Sequence, residues 1–312
     1  MAQSAERPLF GAAMIVAGMA VIGFIDNFVR VAAEEIGIWQ FHAMRAAIAA
    51  PLLALAAHLL GARLLPISWR GSLIRTVFCV GAMLLYYAAL PMAPIAIVGA
   101  GLYTSPLWVL LISALVFRAA VGARQVVASA LGFAGVLILL RPWEAGLDLA
   151  AAIPAMAGLL WAGTLITTRR LASEESPFCL VLLQFVGFFL AGAAALVWLE
   201  AAPASEAMRA AAPFLFAGWV WPISGTVWAV IGFHAVFAVV GVLLITRGYQ
   251  SADATKTALF DYSFLIFAGL AGWALWGEAP SGAASWGGMA LIVGAGLFLT
   301  LGGRRIAEGE RA

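Results

Sequence analysis

The chain has 312 residues, of which 64% are hydrophobic and only 10% charged, and its net charge is +2. Soluble domains carry about 25% charged residues, so this composition excludes a soluble enzyme. Segments such as 180–199 place apolar residues on every face, whereas the strands of a transmembrane barrel alternate apolar and polar positions. The sequence contains no basic run of the kind that binds nucleic acid. These features together predict an all-α integral membrane protein whose main partner is the lipid bilayer.

Ten apolar segments are long enough to cross a bilayer as helices, which takes roughly 20 residues each. They lie near 9–32, 38–60, 72–90, 93–117, 122–140, 149–168, 177–199, 226–247, 253–275 and 281–302. The connections are short, including a predicted turn at 91–94, and the longest spacer covers about 200–225. Cys79 and Cys179 both fall inside apolar segments, which is typical of buried free thiols. We therefore expect neither a metal site nor a cofactor.

The distribution of basic residues predicts the orientation of these segments. Ten spans place both termini on the same side, together with thirteen of the lysines and arginines, Arg75 among them, whereas three lie on the other side. Cytoplasmic loops carry the excess of basic residues. We therefore expect both termini in the cytoplasm of a bacterial inner membrane.

An internal repeat divides the chain into two units. Residues 17–35 align with 157–175 at an offset of 140, with seven of nineteen positions identical, and Phe78 and Leu84 align with Phe237 and Leu243 at an offset of 159. The predicted units are 1–141 and 142–312. Because each contains five spans, the second must enter the membrane upside down. The sequence thus predicts ten transmembrane helices as two inverted five-helix repeats, an arrangement typical of secondary transporters.

Local motifs add a family resemblance. Each half has a fourth span, a short turn and a glycine-containing fifth span, at 105–139 and 263–299. Glu278 stands where EamA-type members of the drug/metabolite transporter superfamily end that fourth span, Arg118 departs from the pattern, and Pro106 matches it in the first half only. The chain resembles this family, and within it the YddG-type exporters of aromatic amino acids. The resemblance implies export of a small-molecule substrate by alternating access and no enzymatic activity.

Polar and aromatic side chains near the bilayer centre are costly unless they are used or satisfied, so those in the central spans are candidate substrate contacts. The alternative is packing for the aromatic side chains and a structural hydrogen bond for His234 and Asp261. The candidates are Tyr103, Ser105, Trp108, Trp161, His234, Asp261 and Tyr262. Asp261 is the best candidate for a proton carrier or an amine contact. Proton coupling and the oligomeric state are left open.

Four further polar residues lie near one end of the first two spans. Asp26 and Arg30 are four residues apart on one helical face, and His42 and Arg45 occupy the outer third of the next span. An Asp26–Arg30 or Asp26–Arg45 pair would neutralise buried charge, with gating as the alternative role. Pro106 removes a backbone donor from the fourth span, which favours equally a hinge and a packing kink.

Three functions are compatible with these patterns. The first is secondary export of small amphipathic metabolites, with aromatic amino acids favoured, because the sequence lacks the phosphate-binding loop of an ATPase. The second is export of organic cations, which an aromatic cavity would bind by cation–π contacts. The third is an intramembrane aspartyl protease using Asp26 and Asp261, although neither residue lies in the GxGD signature of that class.

Overall fold

The computed structural model describes residues 7–89, 95–145, 152–278 and 282–309, and every regular element in these segments is helical. This confirms the predicted all-α membrane fold. Ten long helices follow one another, and we number them in chain order: α1 Pro8–Ala33, α2 Ile38–Leu59, α3 Trp69–Ala89, α4 Ile95–Leu102 with Ser105–Leu115, α5 Ala123–Leu140, α6 Ala152–Leu171, α7 Pro177–Ala201, α8 Gly225–Ser251, α9 Ala254–Trp276 and α10 Gly282–Gly309. The predicted turn at 91–94 lies outside the described residues.

Within the described part of the chain, eight of these helices are long and apolar enough to cross a membrane. The other two are α3 and α6, with 21 and 20 residues, which occupy the predicted third and sixth spans. They are more polar because α3 contains Arg70 and Arg75 and α6 contains Arg169 and Arg170. The two helices pack against each other, and this contact shelters part of their polar surface from lipid.

Several helices are interrupted within their length. The α-helical geometry of α4 stops at Leu102 and resumes at Ser105, and α9 contains a 3₁₀ turn over Ala258–Tyr262. The repeat offset of 159 maps the break at 103–104 onto 262–263, at the end of this 3₁₀ turn. Pro106 lies in the first turn of the second segment of α4, where its missing N–H leaves no intrahelical bond unmade. Discontinuous helices at corresponding positions of two repeats are a pointer to a transport site.

The packing of the helices follows the repeat. The most extensive contacts are α1 with α8, α3 with α6, α1 with α9, α4 with α6, α2 with α7, and α5 with α10. Exchanging each helix for its counterpart in the other repeat, α1 for α6 through α5 for α10, gives the same set of contacts. A two-fold relation between the repeats requires this. Each of these contacts joins one repeat to the other, so the two halves interleave. The boundary between 141 and 142 stays a prediction.

Glycines bring α1 and α8 into close contact. A Cβ atom on Gly18 would lie 2.7 Å from the carbonyl oxygen of Gly241, and one on Gly11 would lie 2.9 Å from that of Gly248. Small residues let backbones approach closely where helices pack inside a membrane. The α1–α8 contact is therefore a backbone-to-backbone contact between the two repeats.

Candidate functional site

The interleaved helices enclose a central cavity of about 160 Å³. Both repeats contribute to its wall, which combines a few polar groups with many rings. Of the residues selected from the sequence, it contains Asp26, Arg45, Tyr103, Trp161, His234 and Asp261; further rings come from Tyr86, Tyr87, Phe185, Phe188 and Phe264. A mostly apolar, concave site with few polar groups is typical of small-molecule binding.

A chain of four polar groups, here called the Arg45 cluster, lies between α1, α2 and α8. Arg45 Nη2 is 3.0 Å from His42 Nδ1, Arg45 Nη1 is 3.4 Å from His234 Nδ1, and His234 Nε2 is 3.1 Å from Asp26 Oδ1. A guanidinium only donates hydrogen bonds, so both imidazoles accept through Nδ1. His234 is then free to donate from Nε2 to the Asp26 carboxylate. Arg45 and both histidines are buried.

The predicted pairing of Asp26 with Arg30 is wrong. Arg30 Nη1 instead contacts Glu278 Oε1 at 2.6 Å, and 51% and 56% of these two side chains are exposed. The reason is local, because α1 passes through a 3₁₀ turn at Asp26–Phe28, which alters the alignment of side chains four residues apart. The predicted link between Asp26 and Arg45 exists, but it runs through His234.

Asp261 forms a second polar group on the cavity wall. Its Oδ2 accepts a hydrogen bond from Trp161 Nε1 at 2.8 Å, its Oδ1 accepts one from Tyr249 at 2.5 Å, and only 1% of the residue is exposed. Tyr249 is not among the sequence candidates, because it lies beyond the predicted end of the eighth span at residue 247. The structure thus joins α6, α8 and α9 through one buried carboxylate.

Three of the predicted substrate contacts lie away from the cavity wall. Trp108 donates from Nε1 to the Thr104 hydroxyl at 3.1 Å, and Ser105 is fully buried. The ring of Tyr262 packs in the α5–α9 core, where a Cβ on Gly132 would lie 2.7 Å from its Cε2. The interruptions in α4 and α9 rotate successive side chains away from the directions that uninterrupted helices would give them.

A buried arginine that the sequence analysis counts among the basic residues on the side of the termini forms a third group, here called the Arg75 cluster. Arg75 is only 3% exposed. It donates to Gln184 Oε1 at 3.0 Å, the Leu180 carbonyl at 3.2 Å, Thr246 Oγ1 at 3.3 Å and Thr168 Oγ1 at 3.4 Å. Gln184 also lines the cavity. The cluster therefore links α3, α6, α7 and α8 beside the cavity.

Comparison with known proteins identifies the family. A sequence model described as the EamA-like transporter family matches residues 9–141. A riboflavin transporter from Rhizobium johnstonii is 31% identical over 236 residues, which cover 74% of this chain and 70% of that protein. The chain belongs to the EamA-like transporter family. It is therefore a transporter, not an enzyme, and a multi-pass membrane protein.

Other relatives are named for riboflavin or for pseudopaline. A riboflavin transporter from Vibrio cholerae is 32% identical, covering 64% of this chain and 60% of that protein. The pseudopaline exporter CntI from Pseudomonas aeruginosa is 22% identical, covering 71% of this chain and 72% of that protein. A protein of known crystal structure shares the fold, with a TM-score of 0.75, 19% identity and coverage of 94% of this chain and 98% of that one.

The family assignment overturns the protease alternative, and the geometry agrees. Asp26 contacts His234, whereas Asp261 contacts Trp161 and Tyr249. An aspartyl protease needs two carboxylates that share one proton at close range. The two carboxylates instead belong to separate hydrogen-bonded groups, and each has its own partners.

Proposed function

We propose that this chain is a secondary transporter that moves a small amphipathic aromatic metabolite through the central cavity by alternating access, with riboflavin as the first candidate. The observation that carries the proposal is the cavity itself, which both repeats build from rings and a few buried polar groups. Flat rings stack favourably on aromatic walls. The inverted, interleaved repeats supply two related conformations that can open the cavity to either side in turn.

Riboflavin takes precedence over the aromatic amino acids that the sequence patterns favour because two similar proteins are named riboflavin transporters. Sites for drug-sized ligands occupy about 300–1,000 Å³, whereas this cavity has about 160 Å³. The cavity must therefore widen before it accepts a tricyclic ring system. An aromatic amino acid requires less widening and is the second solute to test.

Export of organic cations is a second candidate function, and Asp261 is the observation that favours it. This carboxylate is buried on the cavity wall, and among the described residues it has hydrogen-bond donors but no basic side chain at ion-pair distance. A cationic solute could compensate its charge. Replacement of Asp261 by Asn should then abolish cation transport and leave transport of neutral aromatic solutes partly active.

We also propose that both termini lie in the cytoplasm of a bacterial inner membrane. Arg75 and Arg169 are buried in the bundle, with 3% and 8% exposure, so they do not act as headgroup-facing charges. Eleven basic residues then remain on the side of the termini against three on the other. The asymmetry that supports the orientation is therefore preserved.

The proposal is tested by solute flux into proteoliposomes. The panel contains riboflavin, tryptophan, leucine and tetraphenylphosphonium, each measured with and without a pH gradient. We expect saturable flux of riboflavin or tryptophan that exceeds that of leucine, and dependence on the pH gradient would establish proton coupling. Flux of tetraphenylphosphonium alone would favour the cation exporter, and no flux of any solute would contradict both functions.

A matched pair of tryptophan variants tests whether the solute passes through the central cavity. Trp161 lies on the cavity wall, whereas Trp198 near the end of α7 is 70% exposed. Trp161→Ala should raise the KM for the aromatic solute, and the matched variant Trp198→Ala should leave it unchanged. Equal kinetics for the wild type and Trp161→Ala would remove this cavity from the transport path.

A further inference from the structure

The Arg45 and Arg75 clusters occupy equivalent places in the two repeats. The offset of 159, which Phe78 and Phe237 define, maps Arg75 onto His234. The offset of 140 maps Arg45 onto the residue next to Gln184. Arg45 contacts His234 between α2 and α8, and Gln184 contacts Arg75 between α7 and α3. Exchanging each helix for its counterpart in the other repeat converts the pair α2–α8 into the pair α7–α3, so the two clusters are two-fold counterparts at opposite ends of the cavity.

The two clusters differ in charge. The Arg45 cluster contains a carboxylate, Asp26, whereas the offset of 140 maps Asp26 onto Ile166, which is apolar and 5% exposed. All four acceptors around Arg75 are neutral oxygens, and no carboxylate lies at ion-pair distance from it among the described residues. A buried charge is costly unless it is paired. The Arg75 cluster thus keeps a positive charge that its counterpart neutralises.

Arg75 also fixes the orientation of the Gln184 amide. Its guanidinium donates a hydrogen bond to the amide oxygen, Oε1, at 3.0 Å. The amide nitrogen, Nε2, therefore points away from Arg75. Gln184 lines the cavity, and Nε2 has no acceptor among the described residues. An amide nitrogen carries two donors. The cavity wall therefore contains a hydrogen-bond donor without an acceptor, the amide nitrogen of Gln184. The Arg75 guanidinium holds the amide in this orientation.

We infer that Gln184 is the residue that selects the solute, by donating from Nε2 to an acceptor-bearing edge of the aromatic substrate, and that Arg75 positions it. The acceptor is a carbonyl, imide or carboxylate oxygen. This inference rests on the proposed function and names the polar group by which the cavity distinguishes one solute from another. A solute with an amine in place of the acceptor binds less well, because its ammonium group offers no acceptor to Gln184 Nε2 and is repelled by the positive charge of Arg75.

The test measures binding to the purified full-length chain with tryptophan, tryptamine and riboflavin as probes. Tryptamine keeps the indole and the amine of tryptophan but lacks its carboxylate. Gln184→Glu replaces the donor by an acceptor and offers Arg75 a counter-charge, so tryptophan and riboflavin should bind about 10-fold or more weakly, as for the loss of one hydrogen bond to a buried group. Tryptamine should bind equally well or more tightly, which inverts the preference.

Three further variants separate specificity from folding. Gln184→Leu removes the donor without adding charge and should lower the tryptophan-to-tryptamine ratio of affinities about 10-fold. Arg75→Lys keeps the charge but loses the fork that orients the amide, so this ratio should fall less than in Arg75→Met. Gln125→Glu makes the same chemical change at the start of α5, outside the cavity lining, and should leave the ratio unchanged. A ratio is independent of the fraction of protein that is folded.

Wild-type ratios in both Gln184 variants would overturn the inference and leave the transport proposal standing. An equal loss of affinity for all three probes in every Gln184 and Arg75 variant would also overturn it, because that result indicates a purely structural cluster. If the wild type binds none of the probes, the proposed function fails together with the inference. The two failures are therefore distinguishable.

Discussion

Replacement of Trp161 by phenylalanine removes one hydrogen bond and keeps an aromatic ring on the cavity wall. The indole nitrogen lies 2.8 Å from Asp261 Oδ2, and Tyr249 lies 2.5 Å from Oδ1. Asp261 is 1% exposed, so bulk solvent has little access to its carboxylate. We expect Trp161→Phe to destabilise the protein through this one bond.

The expected magnitude follows from the charge of the acceptor. Hydrogen bonds to charged groups contribute about 1.5–3 kcal/mol to stability. Trp161→Phe should lower the free energy of unfolding by that amount in the wild-type background. In an Asp261→Leu background the acceptor is already absent, and the same change should cost less than about 0.5 kcal/mol. The difference, about 1–3 kcal/mol, is the coupling energy of the pair.

The measurement is a double-mutant cycle of unfolding in mixed detergent micelles, followed by the loss of helical circular dichroism. Trp198→Phe is the control, because this residue is 70% exposed and the change should stay within about 0.5 kcal/mol. Additive effects of Trp161→Phe and Asp261→Leu would refute the reasoning. The Trp161–Asp261 bond would then contribute nothing to stability.

Three further predictions concern packing and charge, each checked by the melting temperature in detergent. Gly18→Val should destabilise the protein by about 1–3 kcal/mol, because the Cβ atom of residue 18 would lie 2.6 Å from a side-chain carbon of α8. Gly294 has open space around it, so Gly294→Val should leave stability unchanged. Equal melting temperatures of the two variants would contradict the backbone contact. Glu278→Gln should cost at most about 1 kcal/mol because its ion pair with Arg30 is half-exposed, and a larger loss would mean that the pair is sheltered. His234→Leu should destabilise the protein by about 1–3 kcal/mol. His234→Gln should cost less, because an amide can still accept from the Arg45 guanidinium and donate to the Asp26 carboxylate. Identical losses of stability would exclude this bridging role of His234.

The helices and much of the cavity wall could be predicted from the sequence. Hydropathy predicts the number and order of the spans, and the cost of a buried polar group singles out Trp161, His234 and Asp261. The contact between Asp26 and Arg45 could only be predicted as a direct pair, because local spacing does not reveal that α8 inserts His234 between them.

Other site features depend on packing that the sequence pattern does not contain. Arg75 lies close to a span end and matches the rule for headgroup-facing arginines, yet α6 and α7 cover it. Trp108 and Tyr262 have suitable depth in the membrane, but the interruptions in their helices turn them into the core. The repeat offset is the one sequence signal that could have found Arg75, since it aligns this residue with His234.

The interleaving of the two halves bears on how the protein arose. The most extensive helix contacts join one half to the other, from α1 with α8 to α5 with α10. A single five-helix unit would therefore leave its main packing faces exposed and could not fold stably alone. Before gene duplication joined them, two identical ancestral chains would have had to insert in opposite directions and assemble as an antiparallel homodimer. Coexpression of the two halves as separate chains should accordingly reconstitute the bundle, whereas either half expressed alone should be degraded.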